Sequence, residues 1–107
     1  VLCDVAKGLA LERGPPTKLG EHVDIYTLHT SGGATFVAEN RDGSRVSELT
    51  LDCSDSENVR SDRGDLCVTT RLEPGSARLA MLLMPADRAA AWAYSFRCSS
   101  RQRRAPP

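Results

Sequence analysis

The sequence lacks a hydrophobic run long enough to cross a membrane, and it lacks an excess of charge of either sign. A membrane-spanning helix needs about 20 consecutive apolar residues, and no apolar stretch in these 107 residues approaches that length. The 14 basic residues balance the 14 acidic ones, so no overall field attracts nucleic acid. Because the hydrophobic content of 40% is ordinary, we expect the chain to fold as a single globular domain.

The motifs of metal binding and of nucleophilic catalysis are missing as well. No C-x-x-C pair occurs, and His22 and His29 lie far from any cysteine in sequence, so the usual spacing of a zinc site is absent. A catalytic nucleophile needs a neighbouring base, and no G-x-S-x-G motif presents a serine in that way. We therefore expect no catalytic residue, no cofactor and no enzymatic activity in this chain.

The cysteines bear on the cellular compartment. There are four of them, enough for two disulfides in three possible pairings: Cys3, Cys53, Cys67 and Cys98. A domain of this size does not need covalent cross-links, which favours free thiols in a reducing compartment. The first residues do not resemble a signal peptide, because charged side chains interrupt the apolar positions early. We expect an intracellular, cytoplasmic location; a secreted, disulfide-linked binding domain is the alternative.

Glycine- and proline-containing turns divide the chain into short segments that alternate as β-strands do. The Ser31-Gly32-Gly33 and Arg41-Asp42-Gly43 turns are typical of hairpins. The predicted strands are Val1–Ala10 (an edge strand broken at Gly8), Val23–Thr30, Ala34–Asn40, Val46–Cys53, Leu66–Leu72, Ala77–Met84 and Ala91–Cys98. About seven or eight short strands of this kind predict an all-β protein, an antiparallel β-sandwich.

The segment from Ala77 to Cys98 is ambiguous by composition, since alanine, leucine and methionine also favour helices. Pro85 would interrupt any helix that joined its two halves, at a cost of about 3 kcal/mol. Trp92, Tyr94 and Phe96 recur at every second position, which places them on one face only in a strand. We therefore predict a buried central strand, then a last strand whose three aromatic side chains face the interior.

The sequence ends with a basic cluster, at Arg101, Arg103 and Arg104, and then two prolines. A solvated tail explains this composition most simply, and a phosphate-contacting patch is the alternative. The expected organisation is thus a sandwich domain over residues 1–100 and a basic, proline-ending tail over residues 101–107.

The stretch Asp52–Gly64 is polar and acidic, unlike the apolar segments around it. Oxygen-rich loops at one end of a sandwich can hold calcium, and the candidate ligands are Asp52, Asp55, Glu57, Asp62 and Asp65. However, the D-x-D-x-D-G spacing is missing, and Arg60 and Arg63 lie among the carboxylates. Two interpretations remain open: a loop whose side chains satisfy its own backbone, or a module that binds membranes in a calcium-dependent way and resembles a C2 domain.

Three motifs together resemble one protein family. They are V-A-E-N-R at Val37–Arg41, D-C-S-D-S-E-N-V-R-S-D-R-G at Asp52–Gly64 and the closing segment Ala91–Cys98. This pattern is similar to the C-terminal accessory domain (the SOL-homology domain) of calpains of the small-optic-lobes type. The residues that carry the resemblance in the central motif are Asp52, Cys53, Asp55, Ser56, Asn58, Val59, Ser61, Arg63 and Gly64. At Glu57 the sequence departs from the family pattern, which has an aromatic residue there.

The resemblance implies a non-catalytic β-sandwich module attached to a papain-like cysteine protease. Such a module would have a regulatory or protein-interaction role, and its partner would be a protein, such as another domain of the same chain, rather than nucleic acid or a membrane. The protease's own cysteine, histidine and asparagine motifs have no counterpart here. From the residues themselves, Asn58 offers a side-chain cap, Val59 a buried anchor and Gly64 a turn. We therefore expect the motif to be conformational rather than chemical.

Overall fold

The computed structural model describes residues 2–104, which form one helix and eight strands. The elements in chain order are α1 (Leu2–Arg13), β1 (Thr17–Leu19), β2 (Val23–Thr30), β3 (Gly33–Asn40), β4 (Arg45–Asp52), β5 (Val59–Ser61), β6 (Cys67–Leu72), β7 (Ala77–Pro85) and β8 (Arg97–Arg104). The strands form two antiparallel sheets, so the prediction of an antiparallel β-sandwich is confirmed. No helix among residues 2–104 is long and apolar enough to span a membrane.

The larger sheet has the strand order β1-β2-β3-β7-β5 and is built on the β2–β3 hairpin. This hairpin is paired without interruption from Val23–Asn40 to Thr30–Gly33. Gly33 is required at its position, because a Cβ atom there would lie 2.1 Å from the Leu83 carbonyl oxygen and its φ is 151°. The turn glycine that the sequence pattern identified therefore also permits β7 to pack closely beside β3.

The apolar segment that was ambiguous by composition is a strand, β7, as predicted. It lies between β3 and β5, and a bulge interrupts its pairing with β3 between the Phe36–Met81 and Val37–Leu79 pairs. The bulge turns both Ala80 and Met81 into the core, each 1% exposed. This extra residue explains why the segment lacks the strict alternation of its neighbours.

The smaller sheet has the order β6-β4-β8, with β4 in its centre. The face of β4 formed by Ser47, Leu49 and Leu51 is fully buried, as is Cys53 just after the strand. These side chains meet the inner face of the larger sheet, where Ile25, Phe36 and Met81 lie in the same hydrophobic cluster. The core therefore lies between the two sheets, as the sandwich architecture requires.

The prediction of an edge strand at Val1–Ala10 is wrong, because residues 2–13 form helix α1. Gly8 is accommodated within this helix, and Gly14 with the two prolines behind it ends it. Ala10 packs with Tyr26 and Val37 on the outer face of the larger sheet. The Lys7 ammonium lies 2.6 Å from Glu39 Oε2 and 5.2 Å from the centre of the Tyr26 ring. The helix thus forms a third layer on the larger sheet. Its alanine, leucine, lysine, glutamate and arginine residues favour a helix over a strand.

The prediction of the last strand needs a shift toward the C-terminus. Residues 91–96 are extended, but they make only one strand-like bridge, between Ala93 and Glu57. The regular strand is β8, which pairs with β4 from Asp52–Arg97 to Arg45–Arg104. Residues 101–104 therefore belong to the smaller sheet rather than to a tail, and residues 105–107 lie outside the described part. An edge strand accommodates this basic sequence because its arginines project into solvent.

Candidate functional site

The polar stretch Asp52–Gly64 crosses from one sheet to the other at one end of the sandwich. It begins at the end of β4 in the smaller sheet and contains β5, the edge strand of the larger sheet. Residues 86–96, which link β7 to β8, lie against it. The two segments together form the region that we describe as the candidate site.

Asn58 organises the loop that follows β7. Its φ is 54°, the left-handed conformation that asparagine tolerates better than most residues. Its Nδ2 donates to the carbonyl oxygens of Asp87, Ala90 and Ala91 at 2.9, 3.2 and 3.1 Å, and its Oδ1 accepts from the Asp87 amide at 2.9 Å. One side chain therefore fixes the course of residues 86–91 through main-chain atoms alone.

The residues just before Asn58 hold residues 91–96, the segment that carries Trp92, Tyr94 and Phe96, which we call the aromatic row. The Glu57 amide donates to the Ala93 carbonyl at 2.8 Å, and the Ala93 amide donates back at 3.1 Å. Ser56 Oγ donates to the Ser95 carbonyl and accepts from the Ser95 amide, both at 3.1 Å. Glu57 thus takes part through its backbone, which every residue type except proline can provide, so this contact does not depend on the glutamate side chain.

The residues after Asn58 join the edge of the larger sheet. Asp62 Oδ1 accepts from the Leu82 amide at 2.8 Å, so a side chain extends the pairing of β5 with β7. Arg63 Nη1 donates to Thr70 Oγ1 at 3.3 Å and to the Ala80 carbonyl at 3.1 Å, and so links β6 to β7. Gly64, with φ 80°, completes the turn that the sequence predicted.

The beginning of the stretch is fixed by Asp52 and Cys53. Asp52 Oδ1 accepts hydrogen bonds from the hydroxyl and the amide of Ser54, and these bonds hold the pKa of Asp52 below its usual value. Cys53 is fully buried, and burial raises the pKa of its thiol to about 11. Asp55 pairs with Arg97 at the start of β8. The first residues of the stretch are therefore attached to the smaller sheet.

A second asparagine has the same role at the other end of the sandwich. Asn40, in the V-A-E-N-R motif, is fully buried. Its Nδ2 donates to the carbonyls of Arg45, Leu72 and Glu73 at 2.8, 3.3 and 3.4 Å, and its Oδ1 accepts from the Asp42 amide at 3.0 Å. Two of the three motifs that carried the resemblance thus each contain an asparagine that ties a loop to strands.

The five acidic residues proposed as calcium ligands do not converge on one point. Asp52 accepts from Ser54, Asp55 pairs with Arg97, Asp62 accepts from Leu82, and Asp65 accepts from the Cys67 amide at 3.1 Å, while Glu57 contributes its backbone. Among the described residues, no group of three or more histidine, cysteine or acidic side chains could hold a metal ion. The geometry favours the interpretation in which the loop satisfies its own backbone.

The comparison with known families agrees with this arrangement. The model of the calpain-D-like C-terminal domain matches residues 9–105, which is nearly the whole chain. The chain belongs to this family. No curated protein and no solved structure matches it significantly.

The aromatic row of the calpain-D-like domain closes the gap between the two sheets beside β3. Phe96 and Tyr94 meet the buried Phe36 ring edge-to-face, with centroids 5.1 and 5.8 Å apart. Both pack against the main core cluster. Trp92 instead stacks on His29, with ring centres 5.3 Å apart, at the rim of the sandwich. The three side chains alternate with exposed neighbours as predicted, but only two of them reach the core.

The two histidines lie in different surroundings. His29 stacks on both Trp92 and Tyr94 near the end of β2. His22 precedes β2, and its Nε2 lies 3.9 Å from Glu21 Oε2. Three of the cysteines, at positions 53, 67 and 98, carry free thiols; the side chain of Cys3 lies outside the described part.

An open pocket of about 420 Å³ lies beside the candidate site, and no sequence motif predicts it. We call it the end pocket, and its lining residues are Ser31, Gly32, Arg60, Met84, Pro85, Arg88 and Trp92. Four separate parts of the chain meet there: the β2–β3 turn, β5, the end of β7 and the loop fixed by Asn58. Because these parts are distant in sequence, only the topology brings the two arginines together.

Proposed function

We propose that this domain is a non-catalytic regulatory and protein-interaction module of a calpain-like cysteine protease, of the SOL-homology type. The proposal rests on the hydrogen bonds that the side chains of the Asp52–Gly64 stretch make. These side chains bond to main-chain groups of residues 54, 82, 87, 90, 91 and 95. Such a motif maintains the shape of this end of the sandwich, and we take that shape to serve the binding of a partner.

Membership of the calpain-D-like C-terminal domain family supports the same proposal. We take the partner to be a protein, in the first place another domain of the same polypeptide, and we expect no cofactor to be needed. A cytoplasmic location is part of the proposal, and the free thiols at Cys53, Cys67 and Cys98 are consistent with it. Net neutrality argues against nucleic acid as a partner.

The deciding experiment compares the parent protease with and without residues 9–105. We expect the isolated domain to hydrolyse neither peptides nor esters and to bind the protease part when supplied separately, as measured by calorimetry. Its removal should change the parent's kcat/KM or its response to a regulator by about 5-fold or more, the usual size of coupling between distinct sites.

Two results would contradict the proposal. The first is hydrolysis of a peptide or ester by the purified domain. The second is a parent whose activity, regulation and partner binding are all unchanged after the deletion.

A further inference from the structure

The end pocket combines an apolar floor with two cationic side chains. Trp92, Met84 and Pro85 supply the apolar surface, and Arg60 and Arg88 stand on its rim. Its volume of about 420 Å³ falls within the range of roughly 300–1,000 Å³ that is usual for ligand pockets. A ligand that fits must therefore present both an apolar group and negative charge.

The two arginines are available for a ligand. Both side chains are exposed, and neither guanidinium group makes a hydrogen bond or an ion pair with any residue whose side chain the structure describes. The aspartates close to them in sequence form no ion pair with them: Asp62 accepts from the Leu82 amide, and Asp87 accepts from the Ala89 amide at 2.9 Å. Among the described residues, neither guanidinium group therefore has an ion-pair partner that a ligand would have to displace.

Most other arginines in the domain have partners. Arg41 pairs with Asp24, Arg71 with Glu73, Arg97 with Asp55, and Arg103 with Glu48. Arg45, Arg101 and Arg104 also lack a described side-chain partner, but they lie on β4 and β8 and do not line the end pocket, and the depression beside Arg101 is lined by polar side chains that include Glu48. The end pocket thus combines two guanidinium groups that have no described partner with an apolar surface.

We propose that the end pocket binds an acidic segment of a protein partner. Carboxylates of the segment pair with Arg60 and Arg88, and an apolar side chain between them packs on Trp92, Met84 and Pro85. The planar guanidinium fork matches a carboxylate through two parallel hydrogen bonds. This inference rests on the proposed interaction function and names the chemistry of the partner.

A protein segment suits the pocket better than an anionic membrane. Recognition of lipid headgroups by surface charge uses clusters of about four to eight basic residues, whereas the rim offers two. A membrane also needs a broad convex or flat contact, while the apolar floor lies in a depression between the β2–β3 turn and the loop after β7. An apolar side chain flanked by carboxylates fills such a depression and uses both charges.

Trp92 is the sole tryptophan of the chain, so its fluorescence reports directly on the pocket. The probe is a library of blocked hexapeptides with one apolar residue among glutamates, and the matched library has glutamine in place of glutamate. We expect acidic peptides to change the Trp92 emission with Kd below about 1 mM and the glutamine peptides to bind at least about 10-fold more weakly.

The charge-reversal variant Arg60→Glu with Arg88→Glu should lose this binding by at least 10-fold. Its control is Arg101→Glu with Arg104→Glu, which makes the same change of net charge on β8 and should bind normally. Both pairs are exposed, so melting temperatures should stay close to that of the wild type and confirm folding.

Three outcomes would overturn the inference. They are equal binding of the two peptide libraries, loss of peptide binding in the β8 control instead, and binding to phosphatidylserine vesicles that depends on Arg60 and Arg88 while peptides fail. If the protease part of the parent binds the Arg60/Arg88 variant as well as the wild type, the proposed function stands and this pocket is not the contact. If the protease part binds neither the wild-type domain nor the Arg60/Arg88 variant, both the proposed function and this inference fail.

Discussion

At the scale of single residues, the domain relies on side chains that bond to the main chain. Asn58 and Asn40 each bind three main-chain carbonyl groups and one main-chain amide. A backbone group left without a partner costs about 1–3 kcal/mol when buried, so one asparagine that satisfies several groups has a large local effect. The sequence motifs contained these residues, but the groups they bind could not be read from the sequence, because residue 58 reaches residues 87–91.

Replacing Asn58 by alanine should destabilise the domain by about 2–3 kcal/mol. The loss combines the hydrogen bonds, at roughly 0.5–1.5 kcal/mol each but reduced by partial exposure, with the cost of placing alanine at a positive φ, about 1 kcal/mol. Urea denaturation would measure it. Asn58→Gly is the matched control, since glycine tolerates the backbone angle; it removes the side-chain bonds and adds an unfolded-state entropy cost of roughly 0.5–1 kcal/mol. A glycine variant as stable as the wild type would show that those bonds contribute nothing.

Asp52 should make the stability depend on pH in acid. Its pKa is lowered in the folded state by hydrogen bonds from Ser54, so the unfolded chain binds more protons in the window below the ordinary aspartate value of about 3.9. The stabilisation is complete above that value and declines as the pH falls through the folded-state pKa. Melting temperatures from pH 5 downward should fall less steeply for Asp52→Asn than for the wild type, and equal slopes would contradict this assignment.

At the scale of elements, strands were predictable from the sequence where apolar and polar residues alternate because one face of the strand meets the core. The face of β4 with Leu49 and Leu51 alternates because one side meets the core, and β2 was predicted with its bounds unchanged. Helix α1 was missed because Gly8 was taken as a break, although a glycine costs a helix only about 1 kcal/mol. The segment before β8 alternates for another reason: its aromatic rings cover the gap between the sheets without a regular partner strand.

The aromatic row should therefore contribute unequally to stability. Phe96→Ala removes a ring that contacts buried Phe36 and the core cluster, and we expect a loss of about 3 kcal/mol. Trp92→Ala removes a stack with His29 at the rim, and we expect about 1–2 kcal/mol. Thermal or urea unfolding of the two variants tests the order. A larger loss for Trp92→Ala would mean that the rim, not the core, closes the sandwich.

At the scale of the whole molecule, two sheets of five and three strands enclose the core, and a helix covers the outer face of the larger sheet. The sandwich class followed from strand number and turn spacing, since few architectures bury so many short strands. The strand order did not follow, because β4 pairs with β6 and with the more distant β8 rather than with β3. The end pocket depends on that strand order, so it could not be predicted from the sequence.

The way in which Asn58 holds residues 86–91 has a consequence for how this domain can diversify. It binds main-chain carbonyls and one amide, which every residue type except proline supplies alike. Apart from Asp87, whose carboxylate accepts from the Ala89 amide, no side chain of the loop takes part in these bonds, and this includes Arg88 in the end pocket. Exchanges at position 88 would therefore change the chemistry of the proposed binding pocket without changing the course of the loop, so shape and specificity can evolve separately here.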